Sequence, residues 1–193
     1  MKLIIASNNK HKIYEIKTML GDRFDEILSL SEAGIDHETV EDGETFMENA
    51  LKKAREIAEI LGCPALADDS GITAEALGNE PGVYSARFCG RHGDDAANNQ
   101  LLLERLADKD DKRAHYTAAM ALVYPDGREI TAEGYMHGYI TPDARGERGF
   151  GYDPIFIPVG MSVTVAELSD ALKNAISHRG AALRLLLSRL DAE

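Results

Sequence analysis

The chain has 193 residues, of which 44% are hydrophobic and 28% charged, and its formal net charge is -12 at pH 7. This is the composition of an ordinary soluble globular protein, and the length suits one domain, residues 1–193, built as two lobes. The strong negative charge excludes a general polyanion binder held by counterion release, so we expect no nucleic-acid partner. A small anionic substrate is compatible with it where a few cations converge.

The sequence carries no sign of export or of a membrane anchor. Residues 1–7 lack the long apolar stretch and cleavage site of a signal peptide. No apolar run approaches the roughly 18–20 residues of a membrane span. Cys63 and Cys89 form no CxxC pair and have no histidine at ligand spacing, so we expect reduced thiols. The expected location is the cytoplasm, with no membrane partner.

The N-terminal pattern is strand, polar loop, helix and strand. Residues 2–6 are apolar with β-branched side chains and predict a first strand, and residues 26–30 predict a second. Between them, residues 7–12 are polar, and residues 13–20 carry apolar side chains at helical spacing before Gly21, a typical C-cap. This arrangement offers backbone N–H groups to a phosphate at the start of a helix, although a loop without glycines is a weak phosphate signal.

An acidic loop and a second helix follow. Residues 31–44 are polar and acidic, which is typical of a solvated loop. From residue 46 to residue 61, apolar side chains fall on one helical face, and Gly62 ends the pattern. Asn49 and Lys53 lie four residues apart beside that face, and we favour a functional role for both.

A second acidic segment is the centre of the predicted site. The apolar residues 64–67 run directly into Asp68, Asp69, Ser70 and Gly71, which predicts a buried strand ending in a tight turn. Such strand ends are where α/β proteins place their chemistry. Because adjacent carboxylates repel each other, they need a compensating divalent cation or a shared proton. Carboxylate oxygens suit Mg²⁺, which bridges protein acids and substrate phosphates.

The rest of the chain predicts a helix, a long hairpin and a helical end. Residues 83–88 predict an extended segment, and residues 94–106 predict a helix. Residues 114–140 predict two strands joined by a turn at residues 125–127, and two further helices follow residue 158. We expect a mixed sheet flanked by helices, with the hairpin forming or extending the second lobe.

Motifs of several enzyme classes are absent from the sequence. No GxxxxGK[ST], HExxH, GxSxG or EF-hand loop occurs, and the glycine-rich residues 145–154 have the spacing GxxGxG, which is not a dinucleotide fingerprint. Scattered cations suit a polyphosphate and two aromatic rings suit a base: Lys12, Lys53, Lys173 and Arg179, with Phe150 and Tyr152. The residues alone favour a metal-assisted phosphoryl or nucleotidyl site.

Six motifs in order connect the sequence with a known family. They are Ser7-x-Asn9-x-x-Lys12-x-x-Glu15, Gly43-x-Thr45-Phe46-x-Glu48-Asn49-Ala50-x-x-Lys53-Ala54, Ala67-Asp68-Asp69-Ser70-Gly71, Pro81-Gly82-Val83-Tyr84-Ser85-Ala86-Arg87, Gly149-Phe150-Gly151-Tyr152-Asp153-Pro154 and Ile176-Ser177-His178-Arg179-Gly180. With these motifs the chain resembles the noncanonical purine nucleoside triphosphate pyrophosphatase family, which acts on inosine and xanthosine triphosphates.

The resemblance implies an α/β fold with an elongated mixed β-sheet flanked by helices and two lobes around a central cleft. It also implies a Mg²⁺-dependent homodimer that cleaves ITP, dITP and XTP to the monophosphate and pyrophosphate. Asp69 would be the general base, and Glu41 and Asp69 would hold the Mg²⁺. Because the loop around Glu41 varies, Glu44 or Asp68 could share its role.

The substrate-binding residues that the resemblance implies form two sets. One set would hold the phosphates: Ser7, Asn8, Asn9, Lys10, His11 and Lys12, assisted by Lys53, Ser70 and Lys173. The other would form the base pocket: Phe150, Gly151, Tyr152, Asp153, His178 and Arg179. Hypoxanthine and xanthine present the acceptor O6, which a donor such as Arg179 or a backbone N–H can satisfy. Adenine presents an amino group there, which would leave donors facing each other.

The sequence departs from the family pattern at one position, and it leaves two alternative functions open. Leu172 stands immediately before Lys173, where the family usually has an acidic residue, which questions how the local helix is held. A related pyrophosphatase for pyrimidine or modified nucleotides would share the acids and lysines. A non-catalytic nucleotide-binding module would bind nucleotides without releasing pyrophosphate.

Overall fold

A computed structural model describes residues 2–192 and shows a mixed α/β fold. The strands are β1 Lys2–Ile5, β2 Glu26–Ser29, β3 Ala65–Ala74, β4 Arg113–Val123, β5 Glu129–Ile140 and β6 Phe156–Pro158. The helices are α1 Lys10–Leu20, α2 Phe46–Leu61, α3 Asp95–Leu106, α4 Asp170–Ile176 and α5 His178–Leu190. One sheet has the order β2-β1-β3-β4-β5-β6; β1 runs parallel to β2 and β3, and β5 antiparallel to β6. The predicted mixed sheet flanked by helices is confirmed.

The described residues divide into two compact units. The first unit consists of three segments, residues 2–69, Ala118–Gly134 and residues 179–192. The second unit consists of Ser70–Thr117 and Tyr135–His178. The hairpin of β4 and β5 therefore contributes its turn end to the first unit and its outer ends to the second. That residues 1–193 act as a single domain stays a prediction.

In the first unit, the strands bury side chains on both faces of the sheet. Leu3 and Ile5 of β1 pack with α1 and α5, and Ile4 packs with α2. The same alternation sends Leu66 of β3 to the core of α1 and α5, and Ala67 to the core of α2. The alternation continues through Asp68 and Asp69, so their side chains also point to opposite faces of β3.

Helix α2 is closed at both ends by its own sequence. Thr45 Oγ1 accepts from Glu48 N at 3.1 Å, and Glu48 Oε2 accepts from Thr45 N at 3.1 Å, which forms a capping box. Gly62 ends the helix in a left-handed conformation and donates to Ala58 O. The helix predicted from residue 46 to residue 61 is thereby confirmed.

The acidic segment of β3 lies inside a strand. The expected tight turn is wrong, because β3 continues through residues 68–71 to Ala74. Two adjacent acids do not need a shared cation when a strand points them to opposite faces, where each meets a lysine of its own. The strand can therefore pass through the acids without a break.

Gly82–Arg87 forms a 3₁₀ helix, so the extended segment expected at residues 83–88 is also wrong. Ser85 Oγ accepts from Ile72 N at 2.9 Å and donates to Gly82 O at 2.6 Å, which stabilises the turn and attaches it to β3. A Cβ on Gly71 would collide with Ser85 Oγ and lie 2.8 Å from Gly82 O. Gly71 thus permits a close approach rather than a turn.

The second unit has its own apolar core. Leu102 and Leu106 of α3 are buried there with Tyr116 of β4 and Phe156 of β6. The helix predicted over residues 94–106 begins at Asp95, capped by Asp94. Within residues 2–192, no helix is both long enough and apolar enough to cross a membrane.

Candidate active site

Asp69 is held by two side chains of α2. Asn49 Nδ2 donates to its Oδ2 at 3.1 Å, and Lys53 Nζ lies 3.5 Å from its Oδ1. Asn49 and Lys53 are one helical turn apart and therefore reach the same strand residue. Burial raises the pKa of Asp69, as does the charge of Glu41, while Lys53 and Lys12 oppose the shift. A fixed carboxylate with a raised pKa is suited to accept a proton.

Lys53 joins Asp69 to the acidic loop. Its Nζ donates to Glu41 Oε1 at 2.7 Å and to the backbone oxygen of Asp68 at 2.9 Å. Burial alone would lower the pKa of Lys53, but the carboxylates of Asp69 and Glu41 raise it, so the ammonium stays charged. The structure thus brings together Asp69, Glu41 and the helix pair Asn49 and Lys53.

Glu41 belongs to a segment that lies against α2, which we call the strap (residues 37–43). His37 Nε2 and Thr39 Oγ1 both bond to Glu56 Oε2, at 2.8 Å and 2.6 Å. Asn8 belongs to the polar residues 7–12, which we call the first polar loop, and its Nδ2 donates to the backbone oxygen of His37 at 3.3 Å. The strap therefore connects the predicted phosphate loop with the helix that holds Asp69.

The pair of Glu41 and Asp69 fits a magnesium ion. Proteins usually hold Mg²⁺ through one or two carboxylates, with waters and substrate phosphates completing the shell. Lys53 is the ammonium that contacts both Glu41 and Asp69, so these three side chains carry one excess negative charge that a divalent cation would offset. Within residues 2–192, no group of three or more His, Cys, Asp and Glu side chains suits a metal ion, so an all-protein cage is not supported.

On the opposite face of β3, Asp68 lies between two cations. Lys12 Nζ is 2.7 Å from its Oδ1, and Arg179 Nε donates to its Oδ2 at 3.1 Å. Burial favours the neutral acid, but Arg179 and Lys12 hold the pKa of Asp68 well below its usual range. The role of Asp68, open at the level of sequence, is here to anchor Lys12 and Arg179.

Arg179 is buried inside the first unit, with 1% of its surface exposed. Besides its bond to Asp68, its Nη1 donates to Glu15 Oε2 at 2.6 Å. Burial alone would lower the pKa of Arg179, but Asp68 and Glu15 raise it. The guanidinium ties the start of α5 to α1 and β3. Its predicted contact with the base stays a prediction, and two of its nitrogens already bind carboxylates.

The first polar loop forms the N-terminal cap of α1. Asn9 Oδ1 accepts from His11 N at 3.0 Å and from Lys12 N at 3.2 Å, and Ser7 Oγ accepts from Asn9 N at 3.1 Å. The helix begins at Lys10, inside the expected loop. Two of the N–H groups that the sequence offered to a phosphate are therefore bound by Asn9.

In the second unit, Asp153 organises the glycine-rich loop. Its Oδ2 accepts from Phe150 N at 3.0 Å and from Lys173 Nζ at 2.8 Å, and its Oδ1 lies 3.2 Å from Tyr116 OH. A Cβ on Gly149, whose φ is +76°, would collide with the same carboxylate. Lys173 Nζ also lies 4.8 Å from the centroid of the Phe150 ring, at cation–π distance.

Gly151 and Tyr152 of this loop are held by other partners. Tyr152 is buried, and its OH donates to Ser85 O at 2.8 Å, which makes it a core residue of the second unit. Gly151 N donates to Asp95 Oδ2 at 2.7 Å, and Gly151 O accepts from Asn99 Nδ2 at 3.1 Å. Stacking of Tyr152 on a base stays a prediction.

The remaining predicted residues also have defined places. The His178 ring stacks on Tyr116, with centroids 4.6 Å apart and 9° between the planes. Lys173 is predicted to help bind the phosphates. Its Nζ donates to Asp153, so it lies beside a residue of the predicted base pocket. Ser70 is partly buried and begins the second unit.

Leu172 leaves α4 intact. Its side chain is 42% exposed, and its backbone N donates to Ser169 Oγ at 3.3 Å, the N-cap of the helix. Lys173 is buried on Asp153 on another side of the same turn. The helix is therefore held by its cap and by Lys173, without an acidic residue at position 172.

Comparison with known proteins decides the family. The profile of the Ham1 family matches residues 3–189, nearly the whole chain. The chain belongs to the Ham1 family. Proteins named dITP/XTP pyrophosphatase from Leifsonia xyli subsp. xyli and Leuconostoc mesenteroides subsp. mesenteroides are 48% and 49% identical to it over 195 residues. The alignments cover 100% and 98% of this chain and 96% of each relative, so the resemblance inferred from the motifs is confirmed.

Solved Ham1 structures share the fold. The Ham1 protein of Staphylococcus aureus superposes with a TM-score of 0.89 at 38% identity, covering 100% of this chain and 99% of that one. A HAM1 protein from Coxiella burnetii gives a TM-score of 0.89 at 39% identity and covers 100% of both chains.

Two residues of this Ham1 chain, Glu15 and Tyr116, make contacts that the sequence analysis did not predict. Glu15 pairs with Arg179 across 164 positions, and no spacing signals such a pair. Tyr116 lies in a strand whose apolar pattern predicts only a core residue, yet it contacts Asp153 and His178. These three contacts join residues far apart in the sequence, so only the packed fold reveals them.

Proposed function

We propose that this Ham1 protein hydrolyses the noncanonical purine nucleoside triphosphates dITP, ITP and XTP to the monophosphate and pyrophosphate. The observation that carries the proposal is the environment of Asp69, a buried carboxylate with a raised pKa held by Asn49 and Lys53. The names of relatives that match over the whole chain support the substrate class.

In the proposed mechanism, Asp69 accepts the proton of the water that attacks the α-phosphorus. Asn49 fixes the orientation of this carboxylate, and a carboxylate held in position is an effective general base. As the bond to pyrophosphate breaks, negative charge develops on the leaving oxygens. Lys12 and Lys53 stabilise that charge, because fixed cations in a partly buried site act more strongly than in water.

We propose Mg²⁺ as the cofactor, held by Glu41 and Asp69. When bound, the ion polarises the phosphoryl oxygens and offsets their charge. The excess negative charge of these two carboxylates with Lys53 supports this assignment. Homodimeric assembly is proposed from the family resemblance, and a cytoplasmic location suits the free cysteines Cys63 and Cys89.

We assign recognition of the base to a set centred on Phe150. Lys173 Nζ lies over its ring and on the Asp153 carboxylate, so a donor and an acceptor adjoin one aromatic face. The O6 acceptor of hypoxanthine or xanthine suits the ammonium. The amino group of adenine would instead place two donors together, which discriminates strongly.

The test is pyrophosphate release by the purified chain from dITP, ITP, XTP, dATP, dGTP and dUTP, each with and without Mg²⁺. We expect release from the first three and only with Mg²⁺. Faster release from dUTP would favour the pyrimidine or modified-nucleotide pyrophosphatase. Binding without release would favour the non-catalytic module, and orthophosphate would indicate a phosphatase.

A further inference from the structure

Tyr116 contacts two predicted base-pocket residues at once. Its OH lies 3.2 Å from Asp153 Oδ1, and its ring stacks face to face on His178. Phe156 packs edge-on against the same ring, with centroids 4.8 Å apart. Tyr116 is 6% exposed and lies on β4. One side chain therefore restrains Asp153 through its hydroxyl and His178 through its ring.

The hydroxyl of Tyr116 is the donor in this pair. Burial raises its pKa well above the usual value, and the Asp153 charge adds to the shift, so the phenol keeps its proton. Asp153 therefore accepts from Tyr116 on one oxygen and from Phe150 N and Lys173 Nζ on the other. Donors on both oxygens prevent the carboxylate from rotating.

We propose that Tyr116 is a positioning residue that sets base specificity, by holding Asp153 and His178 in the arrangement that accepts hypoxanthine or xanthine. The inference rests on the proposed function and deepens it. Tyr116 acts through its two neighbours and is not a catalytic residue. Without the hydroxyl, Asp153 Oδ1 loses this donor and the carboxylate gains rotational freedom. A pocket with a mobile polar group distinguishes bases less sharply.

Tyr116→Phe isolates the hydroxyl, because the stacked ring remains. We expect KM for dITP and XTP to rise about tenfold, the scale of one hydrogen bond to a charged group, while kcat changes less than about threefold. The preference in kcat/KM for dITP over dGTP should fall by about the same factor. Tyr124→Phe is the matched control, since Tyr124 is also buried and directly follows β4; it should change neither value.

Tyr116→Leu removes the ring stack as well and should raise KM further, with folding checked by circular dichroism. Calorimetry with xanthosine monophosphate measures the pocket without turnover and should show Kd about tenfold higher in Tyr116→Phe. A folded Tyr116→Phe with unchanged KM, preference and Kd would overturn the inference, as would an equal loss of kcat on every substrate. If the wild-type protein releases no pyrophosphate from dITP or XTP, the proposed function is refuted instead. The comparison of Kd for xanthosine monophosphate between wild type and Tyr116→Phe would still test the role of Tyr116.

Discussion

Asp68 and Asp69 are adjacent in the sequence, and the fold gives them opposite protonation behaviour. Arg179 and Lys12 lower the pKa of Asp68 against the effect of its burial, whereas burial raises that of Asp69. The cause is strand alternation, which places Asp68 between Lys12 and Arg179, and Asp69 on the other face beside Lys53 and the charge of Glu41. Asp68 is thus a permanent anion that anchors its neighbours, and Asp69 is the group suited to exchange a proton.

Replacing Asp69 by Asn should leave the fold intact and remove the proton acceptor. We expect Asp69→Asn to lower kcat for dITP roughly 10²-fold or more, the scale of a positioned general base. Pyrophosphate release at saturating dITP and Mg²⁺ measures it. Asp108→Asn, in an exposed linker, should keep wild-type turnover. Turnover of Asp69→Asn within twofold of wild type would contradict the assignment.

Removing Arg179 should destabilise the first unit. Arg179→Ala leaves the buried carboxylates of Asp68 and Glu15 without this cation, and breaking such a pair costs about 3–5 kcal/mol. Urea unfolding measures the loss. Arg184→Ala, on the exposed side of the same helix, should cost about 0.5 kcal/mol or less. A loss below about 1 kcal/mol in Arg179→Ala would show that the cluster does not carry this stability.

Among the elements, α2 is the support of the predicted site. Successive turns present Asn49 and Lys53 to Asp69 and then Glu56 to the strap. The capping box and the C-terminal glycine define where the helix begins and ends. The position of the strap depends on α2 as well, because its segment contains no helix or strand of its own.

Cutting the attachment of the strap should loosen it locally. Glu56→Ala removes the acceptor of His37 and Thr39, and loss of such bonds should speed hydrogen exchange across the strap about tenfold. Mass spectrometry of exchanged peptides measures this. Glu59→Ala, an exposed change on the same helix, is the control and should leave exchange unaltered. Equal exchange in both variants would mean that Glu56 does not hold the strap.

The close approach of the 3₁₀ helix to β3 can be tested at Gly71. Gly71→Ala places a methyl group against Ser85 Oγ and Gly82 O, and such overpacking costs about 1–3 kcal/mol. Thermal unfolding measures the change. The double variant with Ser85→Ala should lose less than the sum of the single losses, because the hydroxyl collision is gone. Strict additivity would argue that the collision is not the cause.

For the whole molecule, metal binding and stability should be linked. A ligand that binds the folded state alone stabilises it, by about 2.7 kcal/mol at 100 times its Kd. We therefore expect Mg²⁺ without substrate to raise the Tm of the wild type and not of Glu41→Gln. Glu44→Gln, in the same acidic loop, is the control and should respond like the wild type. The reverse result would make Glu44 the ligand, and a Tm independent of Mg²⁺ in all three would contradict a site in the free protein.

Much of the architecture follows from local residue patterns. Apolar periodicity and the glycines at positions 21 and 62 predict α1 and α2, and the hairpin of β4 and β5 lies where alternation and its turn place it. The motifs also indicate the family and the candidate residues. These features depend on neighbours within a few positions, so side-chain spacing and backbone preferences suffice to predict them.

The partners of the charged groups were decided only by the packed chain. Residue patterns placed Asp68 and Asp69 in a turn, and the family resemblance assigned Arg179 to the base pocket, an assignment that stays a prediction. The sheet instead separates the two acids onto opposite faces. Arg179 is buried against Glu15. Such contacts join residues far apart in the chain, and burial strengthens their charges while setting each pKa. These residues become close together and buried only when the strands and helices have packed.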